Sequence, residues 1–321
     1  MPSGRRAFLT SIGAAAAGLA GCLDGGSSGS PTRTPTVTPT DTPVDDAVTL
    51  GDPVSLDGVT VTVSDLVAAH SVRYLSAPDA VDVLPTTDDQ FVFVDVSVDS
   101  GASSPPRRFG LVVDDTSYDP GIEYLGPARV DAPVTGRRYS ESNLQGFLGF
   151  RVPAPLDAES VAVILTSHGP ERTDMRPEPD DIVARWIVPS SSAAPLRSPP
   201  PVFSATVDVP DAVPAAEPIP VTLDVTNTGD GPGVFRAAIN HQGPRYGVTG
   251  IDRSLAAGES TTHETTVDYY LDADAAPGHV QFAVVGPDIS EFFEAALEGG
   301  GAPAGTDTTT GVARRRSTRN W

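Results

Sequence analysis

The sequence predicts an all-β fold made of two antiparallel β-sandwiches in tandem. Many short segments alternate apolar and polar residues with period two, as in Ile219 to Thr226. Turns rich in Gly, Pro and Asp separate these segments, and no convincing long helical pattern occurs. We expect a signal segment and a disordered Thr/Pro-rich spacer to precede the two sandwiches.

The first residues carry an export signal. Arg5 and Arg6 precede a short apolar run, Ile12 to Ala20, and no acidic residue occurs before Asp24. This order is typical of a secretory signal, and the run is shorter than the roughly 20 residues that span a bilayer. The paired arginines indicate the twin-arginine route, which exports folded proteins.

A lipid-attachment site is predicted where the signal ends. Leu19, Ala20 and Gly21 precede Cys22, the only cysteine of the chain, and the four residues resemble the lipobox of prokaryotic lipoproteins. The resemblance implies cleavage before Cys22 and a lipid on its sulfur, which would hold the protein at the membrane. Because one lipid chain binds only marginally, stable anchoring implies two chains or a second contact.

The composition is strongly acidic. The chain has 42 Asp and Glu residues against 21 basic residues, all of them Arg, and its formal net charge is −21 at pH 7. Such self-repulsion destabilises a compact state, but strong salt screens it, because the Debye length falls to about 3 Å at 1 M. The Asp-rich, lysine-free composition resembles that of haloarchaeal proteins. The same negative field disfavours nucleic-acid binding.

The composition changes several times along the chain. We predict a signal peptide at 1–21, a lipidated Gly/Ser/Thr/Pro-rich spacer at 22–46, a first β-sandwich domain at 47–190, a Pro-rich linker at 191–201, a second β-sandwich domain at 202–287, and a short helix with a disordered basic tail at 288–321. The short helix is predicted because Asp288 and Glu291 fit a capping box.

The clearest core strand of the first domain is Phe91 to Val98. Its valines share one face, while Phe91, Phe93 and Asp95 share the other, so we predict that the valine face lies in the core. Upstream, Asp57-Gly58 between two alternating segments predicts a β-hairpin.

The first domain resembles a known family. Gly146 to Pro153, downstream of the strand Phe91 to Val98, is similar to the "G.l.F.vP" strand of the telokin-like, immunoglobulin-like domain of prokaryotic lipoproteins. The resemblance covers residues 50–188. It implies an immunoglobulin-like sandwich and no known activity, so no site residue is transferred.

The second domain resembles another family. Asn227 to Gly231, then Leu255 to Ser260, then Ala276 to Gly278 occur in the order of the cell-adhesion-related β-sandwich domain of bacteria and archaea. The resemblance covers residues 202–287. It implies a fibronectin-like fold without catalysis, and we expect no cofactor.

No residue set predicts a catalytic or metal site. The histidines are His70, His168, His241, His263 and His279. None of them is paired at a metal-ligand spacing. Asp272-Ala273-Asp274 begins like a calcium loop, but Pro277 stands where that loop needs Gly.

These observations predict a lipid-anchored protein on the external face of the cell membrane, which acts as a non-catalytic interaction or adhesion module for an envelope protein. Two alternatives stay open. An accessory protein that presents a solute or metal to a membrane complex would line an interdomain cleft with aromatic residues, of which Tyr118, Tyr124, Trp186, Tyr246, Tyr269 and Tyr270 are the candidates. A hydrolase of envelope polymers would need a convergent carboxylate or Ser/His site.

Overall fold

The computed structural model of the chain describes residues 47–56, 58–99, 105–122, 125, 128–167, 181–242, 246–269 and 278–299. All of these residues belong to one compact unit, residues 39–321. They form mainly β-strands arranged in several sheets, which confirms the all-β sandwich fold. The division into two separate domains stays a prediction. The signal, the spacer and the basic tail lie outside the described residues.

The described strands are, in chain order, β1 (Val48–Thr49), β2 (Pro53–Leu56), β3 (Val59–Ala69), β4 (Ser71–Ala77), β5 (Ala80–Pro85), β6 (Asp89–Val98), β7 (Phe109–Val113), β8 (Thr116–Tyr118), β9 (Val130–Ala132), β10 (Gln145–Pro153), β11 (Val161–Thr166), β12 (Ile182–Ile187), β13 (Phe203–Asp208), β14 (Ala212–Pro214), β15 (Ile219–Asn227), β16 (Gly233–Gln242), β17 (Tyr246–Leu255), β18 (Ser260–Val267), β19 (His279–Gly286) and β20 (Ile289–Glu298). Sheet A has the strand order β1-β12-β11-β7-β8, and sheet B has β10-β6-β3-β2. Sheet C is β5-β4-β9, sheet D is β13-β15-β18, and sheet E is β14-β20-β19-β16-β17.

Sheets A and B enclose the first large hydrophobic cluster. The valines of β6, from Val92 to Val98, are at most 4 % exposed and lie in this cluster, which confirms the predicted core face. Trp186 of β12 is fully buried among them. The hairpin predicted around Gly58 is also confirmed, because β2 pairs with β3 and Gly58 has a φ of 80°.

The opposite face of β6 is buried as well. Phe91 and Phe93 form a smaller cluster with Val72, Val130 and Phe147. The rings of Phe93 and Phe147 lie 5.5 Å apart in an edge-to-face arrangement. Val72 lies on β4 and Val130 on β9, so sheet C covers this side of sheet B. β6 therefore carries apolar residues on both faces because both faces are covered.

Sheets D and E enclose the second large cluster. The apolar residues of β15, from Ile219 to Val225, are at most 1 % exposed, so the alternation predicted for this strand is confirmed. Across the cluster, alternate residues of β16 from Phe235 to Ile239 are fully buried. The other side of β16 lies on the outer face of sheet E.

Residues 289–298 form the strand β20, so the short helix predicted after Asp288 is wrong. β20 pairs antiparallel with β19 along most of its length. Asp288 has a φ of 62°, which suits a tight turn. A helix N-cap has φ in the β region instead, so the capping box cannot form. Ile289, Ala295 and Leu297 are buried with the period of two that a strand requires.

The segment predicted as a Pro-rich linker, 191–201, is partly folded. Ser190–Ala193 forms one turn of α-helix (α1), and Ala194–Arg197 continues it as a 3₁₀ turn. Leu196 is 1 % exposed and lies in the first large cluster. Its carbonyl oxygen accepts a hydrogen bond of 2.8 Å from Nε2 of Gln90. Ala193 is buried in the same cluster, and the polar, proline-rich composition of the segment did not reveal these two contacts.

None of the helices in the described part of the chain is long and apolar enough to cross a membrane.

We expect Leu196→Ala to lower the free energy of unfolding by about 2–5 kcal/mol, because it opens a cavity in the first cluster. The matched control is Ser191→Ala, whose exposed side chain should change stability by no more than about 0.5 kcal/mol. Urea unfolding of both variants in the same strong salt measures the difference. Equal stability of the two variants would show that residues 191–201 act as a free linker.

Candidate functional site

The sequence-predicted site residues are Arg5, Arg6, Leu19, Ala20, Gly21 and Cys22. All of them lie outside the described residues, as does the acidic segment Asp272 to Asp274. Export and lipid attachment therefore stay predictions.

The candidate aromatic residues that the structure describes do not line one cleft, and Tyr124 and Tyr270 lie outside the described residues. Trp186 is fully buried in the first cluster, where its Nε1 donates a hydrogen bond of 3.0 Å to the carbonyl oxygen of Asp52. Tyr269 is buried in the second cluster, and Tyr118 packs against the first. Of the described candidates, Tyr246 is the one that is exposed. Trp186 and Tyr269 are therefore not available to line a cleft, because hydrophobic burial places each in a core.

Several acidic residues have structural partners. Asp114 accepts hydrogen bonds from the backbone N–H groups of Glu159 and Ser160, at 3.0 and 2.8 Å. Asp89 forms an ion pair with Arg151, with 2.6 Å between Oδ2 and Nε. In the part of the chain that the structure describes, no three His, Cys, Asp or Glu side chains converge as a metal ion requires.

Burial lowers the pKa of His70, His241 and His263 below the usual value for histidine. At His263 the Arg253 guanidinium lowers the pKa further, and its Nη2 contacts Nδ1 of that ring. A neutral imidazole accepts a hydrogen bond from Arg253, whereas a protonated ring cannot. The contact connects β17 of sheet E with β18 of sheet D.

The hairpin formed by β4 and β5 packs on the outer face of sheet E. On β16, Ala238 is fully buried, and Arg236 and Asn240 are each 8 % exposed, although these residues point away from the second cluster. We name this contact the hairpin joint and define it by Ser71, Arg73 and Val81 of the hairpin and Arg236, Asn240 and Asp252 of sheet E.

Asn240 connects the hairpin to sheet E as a neighbouring strand would. Its Oδ1 accepts a hydrogen bond of 2.9 Å from the N–H of Val81, and its Nδ2 donates one of 2.8 Å to the carbonyl oxygen of Val81. One side-chain amide thus satisfies both backbone groups of a buried residue. Removing it would leave both groups without these partners.

Arg73 is the charged centre of the joint, with a side chain that is 8 % exposed. Its Nε lies 2.6 Å from Oδ2 of Asp131, and its Nη2 lies 3.0 Å from Oδ2 of Asp252. Its Nη1 donates to the carbonyl oxygens of Ala237 and Ile251, at 3.3 and 3.2 Å. The guanidinium is therefore bonded to its own sheet, through β9, and to two strands of sheet E.

Arg236 is the second buried cation of the joint. Its Nη1 donates a hydrogen bond of 3.3 Å to the carbonyl oxygen of Ser71, and its Nε lies 3.4 Å from Oδ1 of Asp252. Burial lowers the pKa of Arg236, the charge of Asp252 opposes that shift, and the charge of Arg73 adds to it. An arginine stays protonated despite such a shift. The two arginines are thus balanced by Asp131 and Asp252.

Gly250 makes room for the Arg73 guanidinium. In the register of sheet E, Gly250 lies opposite Ala238, on the face that the hairpin covers. A Cβ atom at Gly250 would lie 2.7 Å from Cζ of Arg73, which is closer than real Cβ contacts allow. The absence of a side chain at this position lets Arg73 reach β16 and β17.

Beside the joint, sheet E exposes large apolar side chains. Tyr246 and Val248 of β17 are 66 % and 40 % exposed, and Phe292 of β20 is 49 % exposed. Val248 lies opposite Asn240, so it shares the outer face of the sheet. Asn240 lies opposite Ala283, which lies opposite Phe292, so Phe292 shares this face too. We name Tyr246, Val248 and Phe292 the outer apolar residues.

Sequence reasoning missed the hairpin joint. Its signal was an arginine and an asparagine, Arg236 and Asn240, at the non-core positions of an otherwise apolar strand, and a second arginine, Arg73, inside another strand. Such residues normally face solvent. The sequence carried no sign that the two strands meet.

No family model matches the chain, and no curated protein matches it significantly. Among solved structures, it is similar to a β-glucosidase from Listeria innocua in complex with isofagomine, with 17 % identity and a TM-score of 0.24 over 30 % of this chain and 16 % of that one. A mutant of the Listeria innocua β-glucosidase in complex with laminaribiose gives 16 % identity and a TM-score of 0.25 over 41 % and 20 % of the chains. A calcium binding mutant of Bacteroides uniformis β-glucuronidase 2 has 7 % sequence identity and a TM-score of 0.21, over 72 % of this chain and 32 % of that one. The chain spans less than a third of the length of these proteins, and such low TM-scores carry no argument about function.

We expect Gly250→Ala to lower the free energy of unfolding by about 1–3 kcal/mol, because the new methyl group displaces Arg73 from a packed site. Gly247→Ala on the same strand is the matched control, since its nearest atom, Nδ1 of His241, lies 3.8 Å from the added Cβ. Urea unfolding of both variants in strong salt is the measurement. If both changes have the same effect, Arg73 is not held where the structure places it.

Proposed function

We propose that the chain is a lipid-anchored protein on the external face of the cell membrane that acts as a non-catalytic interaction or adhesion module for an envelope protein. Arg5 and Arg6 support export by the twin-arginine route, and Leu19-Ala20-Gly21 before Cys22 supports lipid attachment. The acidic, lysine-free composition supports a solvent of strong salt.

The observation that carries the interaction role is the set of outer apolar residues. Tyr246 and Val248 are exposed two residues apart on one face of β17, and Phe292 is exposed on the same outer face of sheet E, on β20. Tyrosine and phenylalanine are enriched where proteins bind each other. In strong salt, attraction between exposed charges is short-ranged. Apolar contacts then supply most of the affinity for a partner.

The anchor is tested with Cys22→Ser. We expect this variant to move from the membrane fraction to the soluble fraction, because each lost lipid CH₂ removes about 0.8 kcal/mol of membrane binding. Ser27→Ala, five positions later in the spacer, is the control that should stay with the membranes. A Cys22→Ser protein that remains membrane-bound would overturn the lipid anchor.

The interaction role is tested by capture from native membranes in multimolar salt, with the full chain as bait and mass spectrometry of what it binds. We expect one dominant envelope protein, and less of it on a bait that carries Tyr246→Ser and Phe292→Ser. A bait with Ser204→Ala, an exposed change on sheet D, should capture as much as the unchanged chain. A bound solute or metal without any protein would instead favour the accessory binding role.

A further inference from the structure

We infer that the free edge of β17 is where the partner binds, by adding an extended, positively charged strand with alternating apolar side chains to sheet E. This inference rests on the proposed interaction role and names the kind of partner that the role requires. It is argued from the edge itself, from the other edges of the protein, and from charge.

β17 is a long and regular edge strand. It is the last strand in the order of sheet E, and its pairing with β16 runs from Leu255–Gly233 to Tyr246–Gln242 without a bulge. In the described part of the chain, no strand pairs with its other side. β17 contains no proline. Its outward N–H and C=O groups therefore form a template for another strand.

Most other sheet edges are protected against such pairing. β1, β8 and β14 have two or three residues, and β14 ends in Pro214. β2 begins with Pro53. The free side of β10 is covered, because the N–H of Tyr139 donates to the carbonyl oxygen of Phe147. Short strands, prolines and covering segments are the usual means by which proteins block strand addition.

The two remaining edges of the second sandwich, β13 and β18, differ from β17 in their side chains. The residues that β13 and β18 expose are Ser204, Thr206, Asp208, Ser260, Thr262, Glu264 and Thr266. All of them are polar, and one on each strand is acidic. By contrast, β17 exposes Tyr246 and Val248, which are apolar side chains two residues apart on one face.

The exposed side chains of β17 indicate that the partner strand has apolar residues at alternate positions. A strand placed beside β17 would direct alternate residues to the outer face of sheet E, next to Tyr246 and Val248. Val248 lies opposite Asn240, so the added strand would extend the same sheet on which the hairpin rests. An apolar residue at every second position of the partner would cover the exposed area of both side chains.

The charge of the protein indicates the second property of the partner, its positive charge. The chain carries a net charge of −21, and Glu264 is exposed on the neighbouring edge β18. Arg253, the one basic residue of β17, keeps its charge while it contacts the neutral ring of His263 and donates to the carbonyl oxygen of Asp252. A second copy of the chain would bring the same negative charge to the edge. A basic segment complements this negative charge, with the larger effect at lower salt.

The test uses a dye-labelled synthetic peptide of the length of β17, with alternating Val and Thr and with Arg at both ends. Two matched peptides replace the central Val by Pro or both Arg by Glu. Fluorescence polarisation measures their binding to the full chain in strong salt and at the lowest salt that keeps it folded. We expect the Arg-ended peptide to bind and the Pro peptide to fail, because proline removes a ladder hydrogen bond. The Glu-ended peptide should bind more weakly, with the larger difference at lower salt.

Val248→Lys places a charge at the third residue of β17, and Thr262→Lys does the same at the third residue of β18. We expect Val248→Lys to weaken binding about tenfold or more, since it removes a buried valine contact and adds a like charge. Thr262→Lys should leave the affinity unchanged. Hydrogen exchange should slow at β17 amides, not at β18 amides, when the peptide binds.

Three outcomes would overturn the inference. The first is that the Arg-ended peptide does not bind, or that the Pro peptide binds equally well. The second is that Val248→Lys binds the peptide like the unchanged chain. The third is that β17 amides are already protected without peptide and lose that protection when residues 300–321 are removed, which would assign the edge to the chain's own basic tail.

The same variants separate this inference from the proposed role. If the unchanged chain and Val248→Lys capture the same amount of an envelope protein, the interaction role holds, and the inference that the partner binds at the β17 edge is wrong. If capture yields no protein while the peptide still binds at β17, the edge is an accessible strand template, and the interaction role fails.

Discussion

The buried guanidinium of Arg73 is the interaction on which the arrangement of hairpin and sheet depends. Removing a charge from water costs several kcal/mol unless good partners replace the lost hydration. Arg73 has such partners on both sides, Asp131 from β9 and Asp252 from β17, together with two backbone carbonyl oxygens. The two carboxylates keep more than two fifths of their side-chain surface in solvent. Only the guanidinium of Arg73 is deeply buried. The two carboxylates therefore keep much of their hydration, and the desolvation cost falls mainly on the cation.

Such a joint suits a protein with this composition. Strong salt screens the repulsion among exposed aspartates, but it screens a partly buried ion pair much less. The two hydrogen bonds between Asn240 and Val81 join neutral groups and depend little on ionic strength. The same solvent that relieves the acidic surface therefore leaves the joint intact. The proposed environment and the observed contact are physically compatible.

Local patterns predicted the parts of the fold that are local. Alternation identified β15 and the valine face of β6, because each residue's burial follows from its position on a strand. Local patterns gave the wrong structure for β20, because its residues fit both a helix and a strand. Pairing with β19 and the turn at Asp288 make this segment a strand. The hairpin joint could not be predicted, since Arg73 and Asp252 come from distant strands and periodicity does not name a partner. Among the candidate aromatics, composition could not distinguish the buried Trp186 from the exposed Tyr246.

The shortness of β1 has a mechanical consequence. β1 is the first described strand after the proposed tether, and it pairs with β12 through two residues, Val48 with Trp186 and Thr49 with Ile187. A partner bound to sheet E, together with a lipid on Cys22, would place the chain under tension. The load would reach β1 before any longer strand, and few hydrogen bonds resist it there. Release of β1 would lengthen the tether at the cost of the packing of Val48 against the first cluster, so β1 would yield before the longer strands do.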